Sequence, residues 1–365
     1  MWSVSSDYQR AILGGGLSVN VRCVCTGPLG VNTIPIVDDN VAVQATFNST
    51  MGRTGAIVVQ RDVIDAGLLN VLTDHVWIYV GIVGFPDIPL GYFRPLDITD
   101  IQSGHVAVRL IDATQDLANN DFTAAWTTIV GSTYASEIQR IVQDASSSIS
   151  INTSQLTQGN VPSLTWTGDH AAPLNDLVAP INCAWQADRT GDLIAYTSPY
   201  ALSPTPTPAL TLTSGVGGVQ VKMLHTLSNV NTRNGVTVIV TNQDGSVDQR
   251  VFVFDNDPTS KTFYGGYLGR RNKTYRVQSL PSGISAQSLA LRLLRQLTAT
   301  TETWQVDVPF LPFIDQGDVI QLSYQGVYYT VVVETINYGV SARSTTTLTC
   351  RRFRFSDTAT VGIIQ

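Results

Sequence analysis

Charge is scarce in this sequence. Of 365 residues only 14% are charged, well under the roughly 25% of an average soluble protein. Glu occurs three times (Glu137, Glu302, Glu334) and Lys three times (Lys222, Lys261, Lys273). Thr, Val, Ser and Asn take the positions that charges would fill. So little charge in so large a chain points to surface covered in an assembly, because interface cores are depleted of charge. The net charge of −6 argues against a general nucleic-acid binder, which needs a basic stripe to release counterions. It suits a surface past which DNA slides, repelled by like charge. Cysteine is nearly absent too. Cys23 and Cys25 share one face of a strand, and Cys183 and Cys350 stand alone. None has zinc-ligand spacing, and the set reads as four buried thiols. Also missing are a basic N-terminal region with an apolar core and any run of the roughly 18 apolar residues that a spanning helix needs. These absences predict no signal peptide and no membrane-spanning segment.

What is present is β-structure. Residues 1–113 read as an all-β first domain, with alternation over Leu17–Cys25, Asn40–Phe47, Thr54–Gln60, Asp74–Val80, Leu90–Arg94 and His105–Asp112. Many short strands at regular spacing predict a small barrel. Residues 114–202 read as an α/β insert. One helix carries Tyr134, Ile138, Ile141, Val142 and Ala145 on one face behind a Ser132 or Thr133 cap. A second starts near His170 with Leu174, Leu177, Val178 and Ile181 on one side, and a hairpin follows around Asp188-Arg-Thr-Gly191. The Pro-rich stretch 203–210 reads as an extended linker. Residues 211–352 read as a second barrel containing a helix over 285–297, and 353–365 as a C-terminal tail that packs on a neighbour.

The stretch from Ser285 to Arg351 carries the clearest order. Ser285 is placed to cap a helix whose Ala286, Leu289, Ala290, Leu293 and Leu297 share a face. Trp304-Gln-Val-Asp-Val308 alternates as a strand. Gln316-Gly317-Asp318 turns into the strand Asp318–Tyr324, Gln325-Gly326 turns again into Val327–Val333, and a closing strand sets Thr345, Thr347 and Thr349 on one side. Asp74–Tyr79, Gly91-Tyr-Phe93 and Val106–Leu110 repeat the sequence order of Asp318–Tyr324, Gly326–Tyr329 and Thr345–Thr349, which predicts a duplicated barrel.

The order helix, strand, "QGD", "GVYYTVVVETINYG" and a Thr-rich strand ending in Cys350-Arg351-Arg352 resembles the last barrel of phage tail-hub proteins. More narrowly, the chain resembles minor tail proteins of siphophages that infect actinobacteria, similar in architecture to contractile-tail baseplate hubs and VgrG-type spikes. The resemblance implies a mainly β fold of two similar tail-tube-like barrels with a small α/β insert. It implies a structural virion protein of the tail tip, assembled in the host bacterial cytoplasm. A homotrimeric ring would adapt the six-fold tube to a three-fold tip and line the DNA exit channel. The implied partners are the distal tail protein ring, the tape measure C-terminus, and receptor-binding or fibre proteins.

No catalytic, cofactor or metal set emerges. His75, His105, His170 and His225 are scattered and lack ligand spacing. Neither a G-x-S-x-G elbow nor an H-E-x-x-H helix occurs. Asp38-Asp39 and Asp255-x-Asp257 read as turn formers, with calcium ligation as the alternative. Arg270-Arg271 with Lys261, Lys273, Tyr264 and Tyr267 is the one basic, aromatic cluster; a solvated loop or subunit contact competes with a phosphate or DNA contact. Two rival functions have distinct requirements. A receptor- or glycan-binding module needs exposed Trp, whereas Trp77, Trp166, Trp185 and Trp304 fall in apolar contexts. A cell-wall hydrolase needs a carboxylate pair in a cleft, which three Glu make hard to supply.

Overall fold

The computed structural model describes residues 1–14, 19–47, 52–101, 104–156, 159–201, 207–214, 219, 222–228, 230–242, 245–278, 280, 284–299, 302–340, 345–352 and 361–364, with 38–40, 201 and 361–364 as backbone alone. Strands from both ends of the chain join one 13-stranded sheet. In the first half, Ile36–Thr46, Arg53–Gln60, His105–Ile111, Ile88–Asp100 and His75–Ile82 lie side by side in that spatial order, and the hairpin of Val19–Gly27 and Gly30–Ile34 extends it. In the second half, Lys222–Leu227, Glu302–Pro309, Thr345–Arg352, Val327–Gly339 and Val319–Tyr324 lie in the same kind of order, all antiparallel. Thr211–Leu212 adds in parallel to Val319–Tyr324. Alternation explains the packing. Val76, Ile78 and Val80 are buried between partly exposed His75, Trp77 and Tyr79, and one core runs through both halves.

The mainly β character is as expected, but neither half of the sheet closes into a barrel among the described strands. The content of the expected second barrel also differs. Gly235–Thr241, Val247–Asp255 and Asn272–Gln278 leave the main sheet and form a separate four-stranded one. The helix Ala286–Ala299 packs on that sheet instead of feeding the final strands. Its Ala286, Leu289, Ala290, Leu293 and Leu294 meet Val236, Val238, Val240, Val251 and Val253. Two apolar faces that neither element can bury alone explain the pairing. Ser285 caps the helix as expected, its Oγ accepting from Ser288 N at 3.1 Å. The C-terminal tail, expected on a neighbour, contributes Val361–Ile364 as a strand beside Val247–Asp255; residues 353–360 lie outside the described residues, as do 203–206 of the linker.

Residues 1–113 are not all β. Ser6–Leu13 is a helix capped by Ser5, with Tyr8 and Ile12 buried one turn apart, and Arg61–Asp65 is a shorter one. The strand expected at Leu90–Arg94 runs on to Asp100 through a bulge after Pro95. A bulge is one of the few places where a sheet tolerates proline.

The insert has its own core. Thr133 and Ser136 form a reciprocal cap on the helix Tyr134–Ala145. Asp169 Oδ1 accepts from Ala171 N and Ala172 N at 2.8 Å at the start of the helix Ala171–Val178. Both helices pack with the hairpin Cys183–Ala187 and Leu193–Thr197.

A buried charge cluster ties the two halves and the insert together. Arg53 starts a strand of the first half, Arg189 sits in the insert hairpin, and Asp315 lies in the turn before the strand Val319–Tyr324. Asp315 pairs with Arg53 through Oδ1 and with Arg189 Nε through Oδ2 at 3.0 Å. Arg53 Nη1 donates to Leu90 O at 3.1 Å, and Arg189 Nη2 donates to Tyr338 Oη at 2.9 Å. Arg189 also donates to Pro312 O and Ile314 O. Burial by itself would raise the Asp315 carboxyl, but Arg53 and Arg189 overcome it and hold the group well below the usual carboxylate range. Asp112 accepts from Arg53 N and from Thr114 N. For this carboxyl burial wins, pushing it up to about 6 against those hydrogen bonds.

Two stability predictions follow from these contacts. Leu289→Ala removes the helix's most enclosed leucine, 1% exposed, and should cost about 2–5 kcal/mol in denaturant unfolding. Asp315→Asn leaves two buried guanidiniums short of their anion and should cost about 3–5 kcal/mol. Because the folded carboxyl lies below its ordinary 3.8, its contribution is present above that pH and is lost as pH falls. The wild type should therefore lose stability on acidification below about pH 4 more steeply than Asp315→Asn.

Candidate functional site

The two halves of the main sheet meet strand to strand. Thr46, Ala45, Gln44, Val43 and Ala42 pair with Thr335, Ile336, Asn337, Tyr338 and Gly339 in turn. This seam has an internal counterpart. The long strands Ile88–Asp100 and Val327–Gly339 each have 13 residues. Each pairs one neighbour with its first part and another with its second. The register against the next strand slips between Pro95 and Asp97 in one, and between Val333 and Thr335 in the other. Aligning the bulges makes Leu96 equivalent to Glu334, Ile98 to Ile336 and Asp74 to Asp318. The sequence echo of Asp74–Tyr79 with Asp318–Tyr324 has this register. That of the closing strands is displaced by one, since Val106 matches Thr346.

On the seam's outer face the side chains are short and neutral. Ala42, Gln44, Ala56, Gln305, Asn337 and Thr345 are exposed, and Thr54, Thr335, Thr347 and Thr349 are half-buried among them. The face spans both halves. Its arginines and carboxylates have partners. Arg109 pairs with Asp97 at 2.6 Å, Arg351 pairs with Glu334, and Asp307 accepts from Thr347 Oγ1 at 2.8 Å while standing opposite Lys222. Burial pushes Glu334 up to about 7 against the pull of Arg351. The face is thus close to neutral.

The terminal strand Gly30–Ile34 leaves one edge of this sheet unpaired among the described residues. Two more lie where the half-sheets end: the outer side of Lys222–Leu227 and the outer side of the second part of Ile88–Asp100. Apolar side chains stand exposed along them: Leu96 and Ile101, and Leu224 and Leu227. Such edges invite another strand. Sequence reading missed them, because an edge is a property of pairing, and local alternation is the same for edge and central strands.

The other residues singled out from the sequence do not converge. His170 is buried, with Nδ1 against Asn120 O and Nε2 2.9 Å from Asp144. His225 stacks on Trp304, and His75 on Tyr92 at 4.9 Å. Burial, then Arg94, lowers the His75 pKa. Among the described residues no group of three or more His, Cys, Asp or Glu is placed to hold a metal. Asp255 accepts from Ser260 and Thr262, and Asp257 from Thr259, so both carboxylates shape the turn. The Asp38 and Asp39 side chains lie outside the described residues. The basic cluster is dispersed. Lys261 reaches Glu302 at 2.7 Å, shared with Arg352, while Arg270 lies over Tyr264 and Lys273 over Tyr275. Trp185 and Trp304 are buried, but Trp77 and Trp166 are only half-buried. The Trp77 ring packs against Tyr79 and Tyr92, and Arg22 lies over Tyr79 at 4.7 Å, which covers ring faces that a sugar would need. The four cysteines are buried thiols. No helix among the described residues is long and apolar enough to cross a membrane.

No family model matches the sequence, and no curated relative does. Solved structures do match. The tail protein from Neisseria meningitidis aligns over 91% of this chain and 96% of its own, with TM-score 0.64 at 11% identity. The 43 kDa tail protein of prophage MuSo2 from Shewanella oneidensis aligns over 90% and 98%, with TM-score 0.60 at 10% identity. An Escherichia coli component of the type VI secretion system, described as structurally similar to T4 tail proteins gp27 and gp5, aligns over 94% and 76%, with TM-score 0.51 at 9% identity. The resemblance read from the order of elements thus holds at the level of fold: the chain has the fold of phage tail proteins and of their type VI secretion counterpart.

Proposed function

We propose that this protein is a structural virion component, the tail-tip hub of a long-tailed phage. Three copies would close into a ring that adapts a six-fold tail tube to a three-fold tip and lines the exit channel for DNA. One observation carries the reading: each chain holds two half-sheets of the same strand order, already joined edge to edge. Three such chains present six equivalent half-sheets around one axis, a closed arrangement in which the open edge at Lys222–Leu227 meets that of Ile88–Asp100. The duplicated tail-tube-like barrels expected from the sequence would then be completed by the ring instead of closing within each chain. The scarcity of surface charge and the shared fold of the solved tail proteins support the same reading.

The neutral face across the seam would form the channel wall. Its Thr, Gln, Asn and Ala side chains offer no cation to hold phosphates, and its Arg109 and Arg351 are engaged by Asp97 and Glu334, so DNA would pass with little counterion release and no specific binding. The distal tail protein ring would lie above, the tape measure C-terminus inside, and receptor-binding or fibre proteins around or below. The role is geometric, and the reading includes no enzyme activity.

Native mass and negative-stain images of the purified chain test the assembly. A three-fold ring with a central hole is the expected result; a monomer at the highest soluble concentration, alone and with tail tubes, counts against the hub. Placing lysine on the wall, as Gln44→Lys with Asn337→Lys, should leave the ring intact. The variant ring should retain short duplex DNA at low salt and release it as salt rises, unlike the wild type. Equal DNA retention by both rings would place this face elsewhere than the channel.

A further inference from the structure

Resting on the hub reading, we infer that neighbouring subunits join through Lys222–Leu227 of one copy and the end of Ile88–Asp100 of the next, in a register that the chain already displays internally. The seam within the chain is the template. Residues 42–46 of the first half lie beside the second part of Val327–Gly339. The register of each half assigns the counterparts. Gln44 faces Thr54 as Thr226 faces Thr303, so Thr226 stands where Gln44 stands. Asn337 lies beyond one bulge as Thr99 lies beyond the other, so Thr99 stands where Asn337 stands. Asn337 pairs with Gln44 inside the chain; Thr99 therefore pairs with Thr226 of the neighbouring copy. By the same step Ile98 meets Leu227, and Ile101 meets Leu224.

Burial separates this joint from an arbitrary edge contact. At the internal seam the core-side pair is Ile336 and Ala45, both 0% exposed. At the open edge the equivalent positions are Ile98, half-buried, and Leu227, 57% exposed. The same place in the fold is sealed where its neighbour strand is present and open where it is not. Lys222 and the bulge beside Pro95 guard the outer parts of these edges, yet apolar Leu227 and Ile98 are retained at the matched core-side positions. The occupant is a second copy of this chain, because the strand that fits the gap is one the chain itself carries. Backbone hydrogen bonds give such a joint its strength, and the side-chain pairs its register.

Cysteine pairs read the register. Opposed residues of an antiparallel pair have Cα atoms about 4.5–5.5 Å apart, within reach of a disulfide. The double variant Thr99→Cys with Thr226→Cys, oxidised as an assembled ring, should give covalent dimers and trimers on non-reducing gels. Each single variant, and the shifted pair Thr99→Cys with Leu224→Cys, should not. The native thiols are buried and give the background through the unmodified chain. Leu227→Asp, which sets a charge on the core side of the joint, should yield folded subunits by circular dichroism that no longer form rings. If the wild type forms rings but the shifted pair cross-links while the matched pair does not, or Leu227→Asp assembles normally, the joint is overturned and the hub reading stands. Absence of rings in the wild type overturns both.

Discussion

Unpaired backbone at a sheet edge is the constraint on which this molecule turns. Every peptide N–H and C=O in a strand needs a partner. At the middle of the main sheet the chain supplies it, with residues 42–46 laid against residues 335–339. That seam makes one sheet of two halves and lets one apolar core run through both. It also sets the neutral outer face, because period-two alternation sends Val43, Ile57, Val306 and Leu348 inward and Gln44, Ala56, Gln305 and Thr347 outward on the same strands.

The seam is held in place from beneath by charge. Asp315 draws Arg53 from the first half and Arg189 from the insert to one point, and Arg189 spends its remaining donors on the backbone near Pro312 and Ile314. A cluster of this kind is an uncertain source of net stability compared with an apolar one. Its geometry is nonetheless demanding, since each guanidinium finds its acceptors only when the halves and the insert hairpin are in register. The insert is thereby an integral brace of the fold as well as a body with its own core.

The separate sheet of Gly235–Thr241, Val247–Asp255 and Asn272–Gln278 is tied to the rest through its helix and its long loop. Arg292 of the helix donates to Ala179 O of the insert at 2.8 Å, and Lys261 joins Arg352 on the buried Glu302 carboxylate. All three of the chain's Glu side chains, Glu137, Glu302 and Glu334, serve internal pairs.

Much of this was determined by the sequence alone. Alternation around Trp304 and Val76, the Ser285 and Thr133 caps, the turn at Gln325-Gly326 and the order of elements are local properties, and they carried the fold class and the likeness to tail hubs. The first helix was legible in principle, from Ser5 followed by Tyr8 and Ile12 at helical spacing, but the surrounding strands masked it. Tertiary structure alone decided which strands share a sheet. Val238 and Val306 sit in equally apolar strands, yet one packs under a helix in a separate sheet and the other in the common core. It alone brought Asp315 to Arg53 and Arg189 across long stretches of chain, and it alone distinguished the strands with two neighbours from those with one. The reason is physical: alternation records which face of a strand is buried, while its hydrogen-bonding edges run in the perpendicular direction and leave almost no trace in side-chain identity.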